Sequence, residues 1–147
     1  MIRDYSMNMQ LTDCSASLHL VSQFARANAL LMRRFESGLP GGIGFNDFMI
    51  LYHLHLSSDG KMRRVDLADK LGVTTSGITR MVAPLEKLGI VKREESKHDG
   101  RVVYVTLAPG GRRLFSEALE SADYNSQKII PTERAREYQE LVSDIRV

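Results

Sequence analysis

The stretch Leu71–Val91, "LGVTTSGITRMVAPLEKLGIV", is the feature that most restricts how this chain can fold. Its apolar residues recur at steps of three and four, which predicts an amphipathic helix, although Gly77 and Pro84 lie inside it. A proline in a helix interior costs on the order of 3 kcal/mol. We expect a helix over 74–88 with a kink before Pro84; the alternative is a helix that ends at Met81 and a new turn that starts at the proline.

Helical patterns precede this stretch, and a β-hairpin pattern follows it. The predicted helices cover 15–37, 45–56, 65–71 (with Val65, Leu67, Ala68 and Leu71 inward), 112–128 and a last segment opened by Pro131. The predicted strands cover 90–94 and 102–107, around a turn at Asp99-Gly100. Two short helices joined by "GVTT" and followed by a hairpin are typical of a winged helix-turn-helix. The predicted fold class is therefore mainly α with a small β-hairpin wing.

The helix over 74–88 has one apolar side and one small, polar and basic side. A helical wheel places Ile78, Met81, Val82, Leu85 and Leu88 inward and Ser76, Thr79, Arg80, Ala83 and Lys87 outward. Thr74 is suited to cap the helix, and the free N–H groups nearby favour a phosphate. Thr79 and Arg80 are in line to reach base edges in a major groove. The alternative is a helix whose outer side is polar only because water covers it.

The tip of the predicted hairpin is also basic. Its sequence "SKHDGR" offers Lys97, His98 and Arg101 around a single acid. An arginine at a wing tip can enter the negative minor groove of DNA, and Asp99 is placed to hold Arg101 through a charge-assisted bond. An ordinary solvated turn remains the alternative.

Charge is distributed unevenly along the 147 residues. The segment 61–113 holds twelve Lys and Arg against six acids, whereas the rest of the chain holds eight basic and twelve acidic residues. A basic middle between acidic ends indicates a polyanionic partner for the middle alone, although an ordinary solvated surface would look similar.

Other features exclude several function classes. No apolar run reaches the length of a membrane span, no signal peptide pattern opens the chain, and Cys14 is the single cysteine, so we expect a cytoplasmic protein without membrane contact. "GGIG" lacks the strand and Lys-Ser/Thr of a phosphate loop, and the histidines lack metal-ligand spacing. We expect no metal, no cofactor and no enzyme activity.

The residues from 43 to 115 resemble the MarR (multiple antibiotic resistance regulator) family of bacterial transcription regulators. The resemblance lies in "LADKLGVTTSGITRMVAPLEKLGIVKR", followed by "DGR", "VTL" and "GG". It implies a homodimer whose first and last helices interlock, with 14–42 and 112–147 the dimerisation region and 43–111 the DNA-binding domain. Residues 1–13 are mixed and aperiodic, which predicts a loose arm. The amphipathic stripes at the two ends of the chain agree with such a dimer.

The resemblance also implies functional residues. In the recognition helix over 74–88 the implied contacts to double-stranded DNA are Thr74, Thr75, Ser76, Thr79 and Arg80, and in the wing over 95–102 they are Asp99 and Arg101, beside Lys97. The family further implies a repressor on a pseudo-palindromic operator that a small aromatic effector relieves; no residue identifies the ligand-binding site. The chain departs from the family pattern at Arg64 and Ala108, where helix caps are usual, and at Pro84 and Gly100, where basic residues are common.

Two other functions remain open. A winged helix that has lost DNA binding would serve as a protein-interaction module, which the departures at Pro84 and Gly100 favour. The second function is that of a redox-sensing regulator. Cys14 precedes the first predicted helix, and a helix N-terminus can lower the pKa of a thiol. An unreactive cysteine is the simpler interpretation.

Overall fold

The computed structural model describes residues 15–145, so the predicted arm over 1–13 and Cys14 lie outside the described residues. The elements in chain order are α1 (Ala16–Glu36), a 3-10 turn (Pro40–Gly42), α2 (Phe45–Leu56), β1 (Lys61–Arg63), α3 (Arg64–Leu71), α4 (Thr75–Lys87), β2 (Val91–Glu95), β3 (Val103–Leu107), α5 (Pro109–Ile129) and α6 (Thr132–Ser143). The predicted fold class, mainly α with a small β wing, is confirmed. Within the described residues, no helix is both long and apolar enough to cross a membrane.

The sheet has three antiparallel strands in the order β1-β3-β2. The hairpin of β2 and β3 was predicted, with the first strand one residue later than expected and the second starting at Val103. Strand β1 was missed because three residues are too few to show an alternating pattern. It pairs Lys61 with Thr106, and the hydroxyl of that threonine donates to the carbonyl of Gly60 at 3.0 Å. The wing is therefore tied back to the chain before α3.

The core lies where α2, α3, α4 and the sheet meet. Its fully buried side chains include Ile50, Leu51, Leu54, Leu67, Ile78 and Val105. Two expected core residues are exposed instead: Val65 is 52% exposed and Leu88 is 72% exposed. Val65 lies in the first turn of α3 and Leu88 directly follows α4, and at helix ends the helical period no longer fixes which side chains reach the core. The prediction that they point inward is wrong.

Glycines end both helices of the helix-turn-helix. Gly72 follows α3 with φ 66°, and Gly89 follows α4 with φ 69°, the left-handed region that costs other residues energy. In each turn a later N–H returns to the helix: Val73 donates to the carbonyl of Ala68 at 3.0 Å, and Ile90 donates to that of Leu85 at 2.9 Å. These caps fix the direction in which the chain leaves each helix.

Helix α5 starts at Pro109, three residues earlier than predicted, because proline fits the first turn of a helix and the glycines after it allow close packing. Ala108 is its N-cap and provides no side-chain hydrogen bond. At α3 the N-cap is Arg63 and not Arg64, which corrects the cap position expected from the sequence.

The terminal helices bury little. Helix α1 is 21 residues long and buries only Phe35, and α6 buries none of its side chains. Exposed apolar side chains line both helices, among them Leu18, Val21, Leu141 and Val142. Helices α1 and α6 thus present apolar stripes that no other part of residues 15–145 covers.

The close packing at Gly111 generates a stability prediction. A Cβ atom on this buried glycine would overlap the carbonyl oxygen of Ile90 and lie 2.9 Å from its carbonyl carbon. Because both partners are backbone, Gly111→Ala should lower the free energy of unfolding by about 3 kcal/mol. Urea unfolding of Gly100→Ala is the control, since nothing lies within 4 Å of that position and the change should stay within about 0.5 kcal/mol. Equal stability of the two variants would contradict this packing.

Candidate nucleic-acid interface

The outer side of α4 is the first candidate surface. Ile78, Val82 and Leu85 are buried on its inner side, which fixes the rotation of the helix. Ser76, Arg80 and Lys87 are exposed on the outer side, as predicted, and Thr79 is half-buried. The helix runs without interruption from Thr75 to Lys87, so the alternative of a helix ending at Met81 is wrong. The kink expected before Pro84 stays a prediction.

The start of α4 is capped as predicted. The hydroxyl oxygen of Thr74 accepts a hydrogen bond from the backbone N–H of Gly77 at 3.1 Å, and it lies 3.1 Å from the hydroxyl of Ser76. The cap satisfies one of the N–H groups that a helix start leaves free, and Thr75 lies at the first helical position. Three exposed hydroxyl residues therefore surround the positive end of α4.

Thr79 makes contacts that the sequence did not indicate. Its hydroxyl donates to the carbonyl of Thr75 at 3.0 Å, four residues back on the same helix. The Nη1 of Arg64 donates to that hydroxyl at 3.2 Å from the start of α3. The guanidinium of Arg64 thus lies against the outer side of α4, although Arg64 stands fifteen positions before Thr79 in the chain and no local pattern links the two residues.

The wing tip is a compact turn between β2 and β3. The Ser96 N–H donates to the carbonyl of Val102 at 2.9 Å, and the Val102 N–H donates to the carbonyl of Asp99 at 2.9 Å. The carboxylate of Asp99 accepts from the backbone N–H of Arg101 at 3.0 Å. The sequence suggested that Asp99 holds the arginine; in the structure it holds the backbone of the turn, and no described acid pairs with the guanidinium.

Three of the twelve cations of the basic segment form ion pairs, and all three lie on the sheet: Lys61, Arg63 and Arg93. Lys61 pairs with Glu94 at 2.9 Å, and Arg93 pairs with Glu86 at 2.8 Å, so these cations are partly neutralised on the sheet. The hydrogen bond between Lys61 and Glu94 raises the pKa of the lysine and lowers that of the carboxyl. The cations of the outer side of α4 and of the wing tip have no described ion-pair partner within residues 15–145: Arg80, Lys87, Lys97 and Arg101.

The histidines of α2 pack against aromatic rings. His53 packs edge-on against Tyr52 at 5.4 Å, and His55 packs on Phe115 at 4.7 Å. Burial, followed by the charge of Lys70, lowers the pKa of His53, which favours its neutral form. Residues 15–145 contain no group of three or more His, Cys, Asp or Glu placed to hold a metal ion.

An apolar cavity of about 390 Å³ lies between α1, α2 and α5. Its aromatic lining comes from Phe35, Phe45, Phe48 and Tyr52, and the first two rings meet edge to face at 5.2 Å. Asp123 and Ser126 of α5 supply the polar groups at its edge. No sequence motif pointed to this cavity, because its walls come from three separate helices.

Comparison with known proteins agrees with this architecture. Residues 41–102 match the model of the MarR family. The chain is 32% identical to the HTH-type transcriptional regulator PrsX of Escherichia coli over 95 residues, which is 63% of this chain and 57% of PrsX. The chain thus spans little more than half the length of the curated relatives that it matches first. These relatives are described as transcriptional regulators and not as enzymes.

Solved structures share the fold over most of the chain. Sco3205 of Streptomyces coelicolor, a MarR family transcriptional regulator in complex with DNA, has a TM-score of 0.77 at 23% identity, over 88% of this chain and 86% of Sco3205. BpsR of Bordetella bronchiseptica, whose DNA binding is regulated by 6-hydroxynicotinic acid, has a TM-score of 0.70 at 21% identity, over 85% of this chain and 94% of BpsR. Residues 41–102 are therefore similar to the winged domain of the MarR family, and the solved structures show that most of the chain shares the fold of such regulators.

Proposed function

We propose that this protein is a transcription regulator that binds double-stranded DNA with α4 in the major groove and the wing over 95–102 in the minor groove. The observation that carries the proposal is the division of cations. Three of the four cations on the sheet are paired with acids: Lys61, Arg63 and Arg93. Arg80 and Arg101, in contrast, have no ion-pair partner within residues 15–145 and are exposed on the two surfaces that a winged helix turns toward DNA. An unpaired exposed arginine gives up no ion pair when it meets a phosphate or a base.

Each part of the surface has a distinct role in this proposal. The capped start of α4, with Thr74, Thr75 and Ser76, contacts phosphates through hydroxyls and the helix N-terminus. One turn further on, Arg80 reads a base edge, and guanine is the base that an arginine fork matches best. In the wing, Asp99 holds the turn while Arg101 enters the minor groove beside Lys97.

We further propose that the regulator is a homodimer of interlocked terminal helices, over 14–42 and 112–147. Helices α1 and α6 carry apolar stripes that face water in a single chain, where Val21 is 62% exposed and Leu141 is 61% exposed. A dimer would present two α4 helices to a pseudo-palindromic operator with half-sites about 34 Å apart. A regulator of this geometry acts as a repressor where its operator overlaps a promoter.

DNA binding is tested by fluorescence anisotropy with DNA from upstream of the protein's own gene and with scrambled DNA. We expect selective binding that weakens steeply with salt, because phosphate contacts release counterions. Arg80→Ala should cost about 1–3 kcal/mol and relax the preference at one base pair. Arg101→Ala should weaken binding about tenfold, and Arg136→Ala, an exposed arginine of α6, should change little. Absence of binding by the folded protein would contradict the proposal and favour the protein-interaction module.

The dimer is tested by sedimentation equilibrium. Leu141→Glu places a charge in the apolar stripe of α6 and should shift the mass from about twice 16.5 kDa toward a single chain at micromolar concentration. Arg136→Glu changes the charge more but lies on the opposite side of the same helix, so this variant should remain a dimer. A dimer of unchanged affinity in Leu141→Glu would exclude this stripe from the interface.

The apolar cavity is the effector site in our proposal. It joins α1 and α5 of the proposed dimerisation region to α2 of the winged domain, so a bound ligand would favour one spacing of the two DNA-binding surfaces. The four aromatic side chains favour an aromatic ligand. The carboxylate of Asp123 at the edge favours a neutral phenol, which can donate a hydrogen bond to it, over an aromatic carboxylate, which it repels.

The effector site is tested with a matched pair of probes, 4-methylphenol and 4-methylbenzoate. We expect the phenol to raise the melting temperature and to weaken DNA binding more than the benzoate does at equal concentration. Leu119→Trp, which fills the cavity from α5, should abolish both effects, while Leu56→Trp at the exposed end of α2 should preserve them. Equal responses to both probes in all three proteins would contradict a ligand in this cavity.

A further inference from the structure

Arg64 is a cation of the helix-turn-helix that the proposed interface leaves without a role. It is the first residue of α3, and its side chain crosses to α4, where Nη1 donates to the hydroxyl of Thr79 at 3.2 Å. The residue is half-buried, so its guanidinium is held against the outer side of the recognition helix and does not extend freely into solvent. The contact fixes where the charge of Arg64 lies.

The hydrogen bonds of Thr79 limit what that residue can do. A hydroxyl has one proton, and Thr79 already donates it to the carbonyl of Thr75 at 3.0 Å. The same oxygen accepts from Arg64. Thr79 therefore has no proton left to offer a base edge unless it breaks its bond to the helix. Its present contacts suit a residue that positions Arg64.

The charge of Arg64 is uncompensated, in contrast to that of its neighbour. Arg63 donates two hydrogen bonds of 2.7 Å to the carboxylate of Asp66. Among residues 15–145, no acid forms an ion pair with Arg64, and its bond to Thr79 uses one of the five N–H donors of a guanidinium. A half-buried cation with several free donors beside the recognition helix suits an anion that arrives with the partner.

We propose that Arg64 binds a phosphate of the DNA backbone beside the groove that α4 enters, and that Thr79 is a positioning residue for Arg64 and does not read a base. This inference rests on the proposed DNA binding. The first helix of a helix-turn-helix crosses the backbone while the second lies in the groove, and Arg64 opens that first helix. The planar guanidinium fork matches two phosphate oxygens, and a fixed fork loses less conformational freedom on binding.

The experiment measures operator affinity against salt concentration for the wild type, Arg64→Ala, Arg64→Lys, Thr79→Val and the double variant Arg64→Ala/Thr79→Val. Arg64→Ala should weaken binding about tenfold and reduce the slope of log affinity against log salt by about 0.9, with an unchanged ratio of operator to scrambled DNA. Arg64→Lys should keep the slope and lose part of the affinity. Thr79→Val keeps the shape of threonine and should weaken wild-type binding severalfold but add nothing in the Arg64→Ala background.

The control removes the neighbouring ion pair instead. The double variant Arg63→Ala/Asp66→Ala leaves the net charge unchanged and should leave the salt slope unchanged. An unaltered slope in Arg64→Ala, beside a wild type that binds its operator, overturns the inference alone. Relaxed selectivity of Arg64→Ala at one base pair would also overturn the inference, because Arg64 would then be a base contact. An equal loss of affinity for Thr79→Val in the wild-type and Arg64→Ala backgrounds would overturn it as well, because Thr79 would then be a direct contact. A wild type that binds no DNA overturns both the inference and the proposed function.

Discussion

The burial of one side of α4 is the interaction on which the winged half of the molecule depends. Ile78, Val82 and Leu85 are at most 3% exposed, and each fully buried side chain of this size contributes about 1.5–3 kcal/mol. Pro84 removes the hydrogen bond to the carbonyl of Arg80 and costs about 3 kcal/mol in a helix interior. The burial exceeds the cost, so the helix continues through the proline.

The position of Pro84 also limits the damage that it causes. The residue is exposed, so water can hydrate the carbonyl that loses its partner. Beyond the proline the ladder resumes, since the N–H of Leu88 donates to the carbonyl of Pro84 at 3.1 Å. A proline on the inner side of the helix would have left the carbonyl four residues before it in the core, without a hydrogen bond and without water. The helix therefore tolerates Pro84 because this residue lies on its exposed side, and nothing in the structure gives the proline a function.

The sequence predicted the helices and the hairpin well because their signals are local. Periodic apolar residues marked α2 at its observed bounds, and the hydroxyl of Thr74 marked the cap of α4. The features that the sequence missed altogether have a common cause, which is that they depend on contacts between distant segments. Strand β1 exists through its pairing with β3, and the bond between Arg64 and Thr79 depends on how α3 packs on α4. The aromatic cavity likewise needs three helices to be in place.

The charge of the basic segment illustrates the same limit. Counting residues over 61–113 gives a net positive segment, but the count treats every cation alike. The structure shows that Lys61 is paired across the sheet with Glu94, and that Arg93 of the sheet is paired with Glu86 of α4, which the turn between α4 and β2 brings beside it. The excess charge is thus concentrated on fewer residues than the sequence suggested, and these face outward.

Helix α5 connects this charged surface to the apolar ends of the chain. Its first turn packs at Gly111 against the backbone of Ile90, the residue before β2, and its middle is held to α2, where the ring of Phe115 stacks on that of Phe48 at 5.7 Å. Its last turns line the aromatic cavity with Ile129. A helix of 21 residues is about 30 Å long. Because α5 is held to the winged domain at its start and in its middle, a ligand that shifted α1 relative to α5 would also shift α1 relative to the winged domain.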